Sequence, residues 1–221
     1  MHLVFFTNGL LLIGMSAVMT AIALLLPDMR PVFMEAAVLT ALVGVSLAAA
    51  LARPPGGFRR VHTFLLTASL WAVATLAGAL PLWLWNLSLT DAVFESVSGI
   101  TTTGATVLTG LDTMDQDLLL WRSVLQWIGG IGIIGMFVAV LPFLRVGGMR
   151  LFATESSEWT DKALPRMKTL SRGLLLVYVA FSVLAVTTYW LSGMSLFDAF
   201  NHGLTSIATG GFSTSDLSMG K

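Results

Sequence analysis

The sequence contains no cysteine, which excludes disulfide staples and thiolate metal sites. Its three histidines, His2, His62 and His202, lie far apart and make no metal-ligand spacing. Charge is scarce too. Only 11% of the 221 residues are charged, against 56% hydrophobic, and mean hydropathy is +0.84. Soluble domains carry about 25% charged residues. This chain has too few charges to cover a water-facing surface, so lipid is the solvent its composition implies. Net charge is zero and no basic run is present, which leaves no footprint for nucleic acid. No nucleophile–base set stands out, so the sequence offers no enzyme and implies no cofactor. The N-terminus lacks Lys and Arg, and its apolar stretch from Leu3 to Leu26 is too long for a signal-peptide core. We read it as a retained membrane helix, although Ala17-Val18-Met19-Thr20-Ala21 loosely resembles a cleavage site.

A crossing needs about 20 apolar residues. Five stretches qualify: 3–26, 32–52, 62–85, 119–143 and 170–191. Pro27 and Pro31 bracket the first turn, Pro54-Pro55-Gly56-Gly57 breaks the chain after the second span, and Pro142 ends the fourth. Arg53, Arg59 and Arg60 lie between spans two and three. Arg145, Arg150, Lys162, Arg166, Lys168 and Arg172 lie between or at the edges of spans four and five. The positive-inside rule makes both connections cytoplasmic. The N-terminus is then cytoplasmic and the turn at 27–31 external. The connection from Arg145 to Arg172, which carries Trp159, fits an amphipathic segment on the inner leaflet or a docking site for a cytoplasmic partner.

Residues 88–118 and 195–216 are neither spans nor ordinary loops. Both are rich in Thr, Ser and Gly, both fall on the external side, and each opens with an apolar segment of about a dozen residues. That length suits a re-entrant half-helix. Asp112, Asp115 and Asp117 follow the first. They fit a cation-attracting vestibule or a loop merely kept soluble.

The two stretches are copies of each other. At a constant, gapless offset of 107, Trp83-Leu84 matches Trp190-Leu191, Ser88-Leu89 matches Ser195-Leu196, and Asp91-Ala92 matches Asp198-Ala199. Ile100 matches Ile207, Thr102 matches Thr209, Gly104 matches Gly211, and Thr106 matches Ser213. In each copy a tryptophan suited to the headgroup region ends a span. Ser88-x-x-Asp91 and Ser195-x-x-Asp198 then read as capping-box-like helix starts. The short helix runs through Phe94 to Gly99, or Phe200 to Ser206. Its C-terminal end would point inward and favour a cation by about 0.3–1 kcal/mol.

After each helix comes Thr-x-Gly. Irregular backbone at membrane depth is tolerated only when buried or lining water. Glycine can take φ > 0, which lets successive carbonyls turn to one side, and rings of carbonyls replace the hydration shell in potassium filters. We therefore read Thr102, Thr103, Gly104 and Ala105 as one filter strand and Thr209, Gly210, Gly211 and Phe212 as another, with backbone carbonyls as the potassium ligands. Glu95 and His202 fall within the half-helices and are treated as non-equivalent positions. Each can tune the field at the filter or bond backbone groups behind it; we favour the support role.

Span four carries Trp121-Arg122 near its outer end, then Gln126-Trp127-Ile128-Gly129-Gly130-Ile131-Gly132-Ile133-Ile134-Gly135. Glycines weaken a helix in water by about 1 kcal/mol each, but in lipid they let backbones approach closely. Tight packing is expected, with a hinge as the lesser reading. Arg122 is expected to snorkel to the interface; the alternative is a pair with Glu95 or Asp91.

These residues resemble the Trk/Ktr/HKT superfamily of potassium transporters, and most of all its bacterial Trk membrane subunits. The carriers are Phe94-Glu95-Ser96-Val97-Ser98-Gly99 leading into Thr101 to Thr106, Arg122 with Gln126-Trp127-Ile128-Gly129-Gly130, and Ala208 to Ser213. The resemblance implies an all-α membrane protein of tandem helix–pore loop–helix repeats, with two re-entrant half-helices here and two leading transmembrane helices. Residues 1–61 would be the leader, 62–150 the first repeat, 151–169 a cytoplasmic connection, and 170–221 the opening of the second repeat. It also implies potassium as transported ion, a multi-pass protein of the bacterial inner (plasma) membrane, a homodimeric assembly and a cytoplasmic Rossmann-type nucleotide-binding regulatory partner. A serine at the first filter glycine goes with sodium preference in that family, so Gly104→Ser is expected to shift selectivity. The sequence stops at Lys221, before the second inner helix and two further repeats. A fragment of a longer protein is the simpler expectation, and a self-associating half-length subunit the other. A secondary transporter for another solute and a non-conducting membrane anchor remain the alternative functions.

Overall fold

The computed structural model describes residues 2–50, 60–140, 159–218 and 220. Its regular elements are α1 (His2–Leu25), α2 (Arg30–Ala50), α3 (Arg60–Leu84), α4 (Leu89–Ile100), α5 (Gln116–Val140), α6 (Trp159–Leu191) and α7 (Leu196–Ile207), with a 3-10 turn at Leu111–Thr113. No strand occurs among the described residues. Among the described residues, five helices are long and apolar enough to cross a membrane: His2–Leu25, Arg30–Ala49, Phe64–Leu84, Gln116–Met136 and Thr169–Leu191. α4 and α7 have 12 residues each. At 1.5 Å per residue that is about 18 Å, too short for a hydrocarbon core of about 30 Å.

The boundaries differ from the sequence reading in one place that matters. The fifth span itself lies close to the expected 170–191, at Thr169–Leu191. Its helix runs back to Trp159, so the end of the expected 151–169 connection is continuous with α6. Lys, Ala, Leu, Arg and Met, the strong helix formers of residues 159–172, explain the extension. Arg53, Arg59, Pro54 to Gly57, Pro142, Arg145 and Arg150 lie outside the described residues.

α1 and α2 form a tight hairpin because Gly9 and Gly44 face each other. A Cβ on Gly9 would lie 2.8 Å from the Gly44 carbonyl oxygen, and one on Gly44 would lie 2.9 Å from the Leu12 Cβ. Small residues substitute here for a hydrophobic driving force that lipid does not supply. Polar bonds add to it: the Ser16 hydroxyl donates to the Ala37 carbonyl at 2.8 Å, and Asn8 donates to Ser69 of α3 at 2.8 Å.

The core sits where α1, α2, α3 and α5 converge. Met15, Met19, Phe33, Leu82, Leu118, Trp121 and Leu125 fill it. Trp121 is fully buried; its indole N–H donates to the Gly78 carbonyl at 2.9 Å, and Phe33 meets it edge-on. α6 is the outlier. Half of the membrane window of α5 is buried, against 11% of that of α6, which leaves Val177, Phe181 and Leu184 exposed. α6 is fastened to α5 by polar bonds: Trp127 Nε1 to Ser182 Oγ at 2.9 Å, and the Tyr178 hydroxyl to the Trp127 carbonyl at 3.1 Å. The expected tight packing of the span-four glycines is found at Gly129 and Gly130. A Cβ on Gly129 would fall on the Ile100 carbonyl, and one on Gly130 on the Tyr178 hydroxyl, whereas Gly135 meets nothing.

Candidate functional site

Both short helices start the same way. The Ser88 hydroxyl accepts from the Asp91 N–H at 3.1 Å and donates to the Asp91 carboxylate at 2.7 Å; Ser195 and Asp198 repeat this at 3.0 and 2.7 Å. The aspartate thus binds the serine hydroxyl, which fixes the cap and sets a negative charge at the positive helix end.

They also end the same way. Thr101 and Ala208 close the helices in the right-handed region. Next come Thr102 at φ 58° and Thr209 at φ 55°, then Gly104 at φ 79° and Gly211 at φ 81°. The Thr102 N–H donates to Gly99 and the Thr103 N–H to Ser98, both at 2.9 Å; Thr209 to Ser206 and Gly210 to Thr205 do the same at 3.0 and 2.8 Å. This is the paired bonding of a Schellman end. The left-handed residue in such an end is usually glycine. A β-branched threonine there costs on the order of 1–3 kcal/mol and persists only where its surroundings hold it. Both copies hold it.

The two turns meet. A Cβ on Gly104 would fall on the carbonyl oxygen of Gly210, so Gly104 has both a left-handed backbone and a neighbouring strand pressed on its Cα. Gly211 has the backbone requirement alone, with nothing within 4 Å of its Cβ position. Among the described residues no hydrogen-bond donor takes the carbonyls of Thr102, Thr103, Gly104, Thr209 or Gly211. Ala105 differs. Its carbonyl accepts from the Ser98 hydroxyl at 2.5 Å, which turns it back toward α4. Phe212 places its ring behind the strand, 2% exposed, and gives its N–H to Gln126.

Behind the turns lies a buried ion pair. Arg122 Nε donates to Glu95 Oε2 at 3.2 Å, with the side chains 1% and 0% exposed. Arg122 therefore does not snorkel, as first expected, but forms the alternative pair with Glu95, which is fully buried and within reach of its Nε. Glu95 Oε1 accepts from the Thr106 hydroxyl at 2.5 Å and the Val107 N–H at 2.7 Å. Arg122 also donates to Thr106 Oγ1 at 2.9 Å and to the Ser213 carbonyl at 3.4 Å, and its guanidinium lies 4.2 Å over the Phe212 ring. One buried pair thus grips both turns.

Glu95 and His202 are separated by 107. They occupy the same position in the two short helices and are not unrelated, as the sequence reading treated them. His202 is 5% exposed, and its ring lies 6.2 Å from that of Tyr189. The vestibule reading also loses a member. Asp117 is fully buried at the start of α5 and accepts from the Met29 N–H at 3.1 Å, so it secures the α1–α2 turn. Asp112 is exposed and accepts from the Asp216 N–H at 3.3 Å. Asp216, which the sequence reading did not single out, accepts from Gly110 and Leu111 at 2.8 and 3.2 Å and ties the two outer loops together.

Comparison with known proteins shows what the chain is similar to. The family described as TrkH, cation transport protein, matches residues 29–221. The Trk system potassium uptake protein TrkI of Halomonas elongata is 51% identical over 170 residues, covering 76% of this chain and 35% of that protein. The Trk system potassium uptake protein TrkH of Escherichia coli K12 is 44% identical over 170 residues, covering 75% of this chain and 35% of that protein. The crystal structure of the potassium transporter TrkH from Vibrio parahaemolyticus matches 99% of this chain and 45% of its own, with a TM-score of 0.86 at 34% identity. The chain spans about a third of the length of the curated relatives it matches.

Proposed function

The chain belongs to the TrkH family of cation transport proteins, and from that membership we propose that it supplies two sides of a potassium pathway in a Trk-type uptake system of the bacterial inner membrane. The observation that carries the proposal is the paired turn. Thr102 and Gly104, Thr209 and Gly211 share one backbone conformation at a constant offset of 107, and the two turns touch at Gly104 and Gly210. Each turn follows the negative end of a short helix, which favours a cation. Each leaves carbonyls without a protein donor among the described residues, as a filter that replaces hydration oxygens requires.

Thr102, Thr103 and Gly104 from one turn, with Thr209, Gly210 and Gly211 from the other, are the residues we assign to the ion path. Ala105 and Phe212 act as the ends that anchor it. Ser88, Asp91, Ser195 and Asp198 orient the helices that aim at it. Two strands do not encircle an ion, so the rest of the ring comes from further repeats or further chains. A dimeric membrane assembly and a cytoplasmic nucleotide-binding regulator fit this reading. So does an N-terminus in the cytoplasm.

The informative substitution is Gly211→Ser. Gly104→Ser adds atoms where the Gly210 carbonyl already sits, so it disturbs the strand contact as well as the filter. The Gly211 site has room. In the complete protein, Gly211→Ser should lower potassium over sodium discrimination in flux assays. Unchanged discrimination with normal amounts of protein in the membrane would sink the filter assignment.

A further inference from the structure

Gln126 lies in α5 and is fully buried. Its Oε1 accepts from the Phe212 N–H at 3.1 Å. Its Nε2 is buried without a partner. A Cβ on Gly210 would fall on the carboxamide, and Nε2 lies 3.6 Å from the position a Cβ on Gly104 would take. One side chain therefore touches both turns at the place where they meet.

Such a donor is out of the ordinary. Buried amide groups are nearly always paired, and an unpaired one is unfavourable in a core this tightly packed. A leucine of similar size would fill the same space without that burden. The carboxamide has a feature leucine lacks: an acceptor locked on one strand and a donor beside the other. We propose that Gln126 is a positioning residue that sets the separation of the two Thr-x-Gly strands and so determines discrimination among monovalent cations. The inference rests on the filter reading of those strands. The chain of action is geometric. The Oε1 bond fixes Phe212 relative to α5, the carboxamide plane backs Gly210, and the Gly210 carbonyl in turn limits how closely Gly104 approaches. Changing the carboxamide moves one strand against the other without touching the ion.

The test compares three variants of the complete protein in liposomes, with potassium, rubidium and sodium permeabilities measured separately. Gln126→Leu removes both polar atoms. Gln126→Met keeps the length and neutrality of the side chain without the amide donor, so it tests the donor even where the leucine variant fails to assemble. Gly211→Ser reports on the filter itself. We expect each Gln126 variant to change the potassium-to-sodium ratio by about fivefold, the effect worth about 1 kcal/mol. Trp127→Phe, which removes the bond to Ser182 but leaves both turns untouched, should keep the ratio. Equal loss of all three fluxes at a constant ratio would show a merely structural role and overturn the proposal, as would unchanged ratios in the Gln126 variants while Gly211→Ser alters its own. If Gly211→Ser also leaves the ratio unchanged, the filter reading falls with it.

Discussion

The two Thr-x-Gly turns share a backbone but not a means of support. The first is stitched to its own short helix. Ser98 holds the Ala105 carbonyl, and Glu95 holds Thr106 and Val107. The second is held largely from outside its repeat. Gln126 and Arg122 of α5 take Phe212 and Ser213, while its own helix contributes Asp198, which accepts from the Thr214 hydroxyl at 2.6 Å. The difference traces to one position. Glu95 is a carboxylate that accepts from three groups at once, whereas His202, at the same place in the second helix, makes a ring contact with Tyr189. The first turn is held mainly by its own short helix, with Arg122 of α5 bonding Glu95 and Thr106, whereas the second takes its side-chain bonds to Phe212 and Ser213 from α5.

The sharpest way to break that comparison is at the divergent position. Glu95→Gln leaves the Arg122 charge buried without its counter-ion. Removing one partner of a buried pair costs about 3–5 kcal/mol, a large fraction of the roughly 5–15 kcal/mol that holds an ordinary domain folded. His202→Gln breaks no ion pair and should cost well under half as much. Thermal unfolding in detergent of the two variants side by side gives the answer. Equal losses would mean that the ion pair is not what holds the first turn.

Next in size is the glycine pair. Gly104→Ala and Gly211→Ala both force a side chain into left-handed backbone, at about 1–3 kcal/mol. Only Gly104→Ala also drives a methyl group onto the neighbouring carbonyl. Potassium uptake should therefore be abolished by Gly104→Ala and only reduced by Gly211→Ala. Uptake assays with matched protein levels would reverse this view if Gly211→Ala proved the more damaging.

What the sequence made legible was local or periodic. The spans follow from hydropathy, and the repeat from a constant offset. The caps show because Ser-x-x-Asp brings both groups to one helix turn. What it hid depends on distant parts of the chain. Glu95 and Arg122 are 27 residues apart, and Gln126 and Phe212 are 86 apart. An arginine near a span end has snorkelling as its default, so the pair with Glu95 stood only as the alternative until the fold selected it. The equivalence of Glu95 and His202 was readable from the offset, but the change of residue type masked it. Asp117 looked like one more acidic loop residue because nothing local marks Met29 as its partner. The α6 extension was obscured by charge, since hydropathy measures the fit to lipid and not helicity.

The smallest effects test the half of the comparison that asserts sameness. Ser88→Ala and Ser195→Ala each remove one cap, a loss of about 1 kcal/mol. The cap geometries agree to within 0.1 Å, 3.1 against 3.0 Å for the bond from the aspartate N–H, so the two losses should be equal. The aspartates should not be. The Asp91 side chain bonds the Ser88 hydroxyl, while Asp198 bonds the Ser195 hydroxyl and also the Thr214 hydroxyl beyond the second turn. Asp198→Ala should therefore cost more than Asp91→Ala, by about the 1 kcal/mol of an added hydrogen bond. Melting temperatures of the four variants separate these cases. Equal serines with unequal aspartates would locate the asymmetry in what each helix does for its turn, whereas unequal serines would place it in the helices themselves and undo the argument from Glu95 and His202.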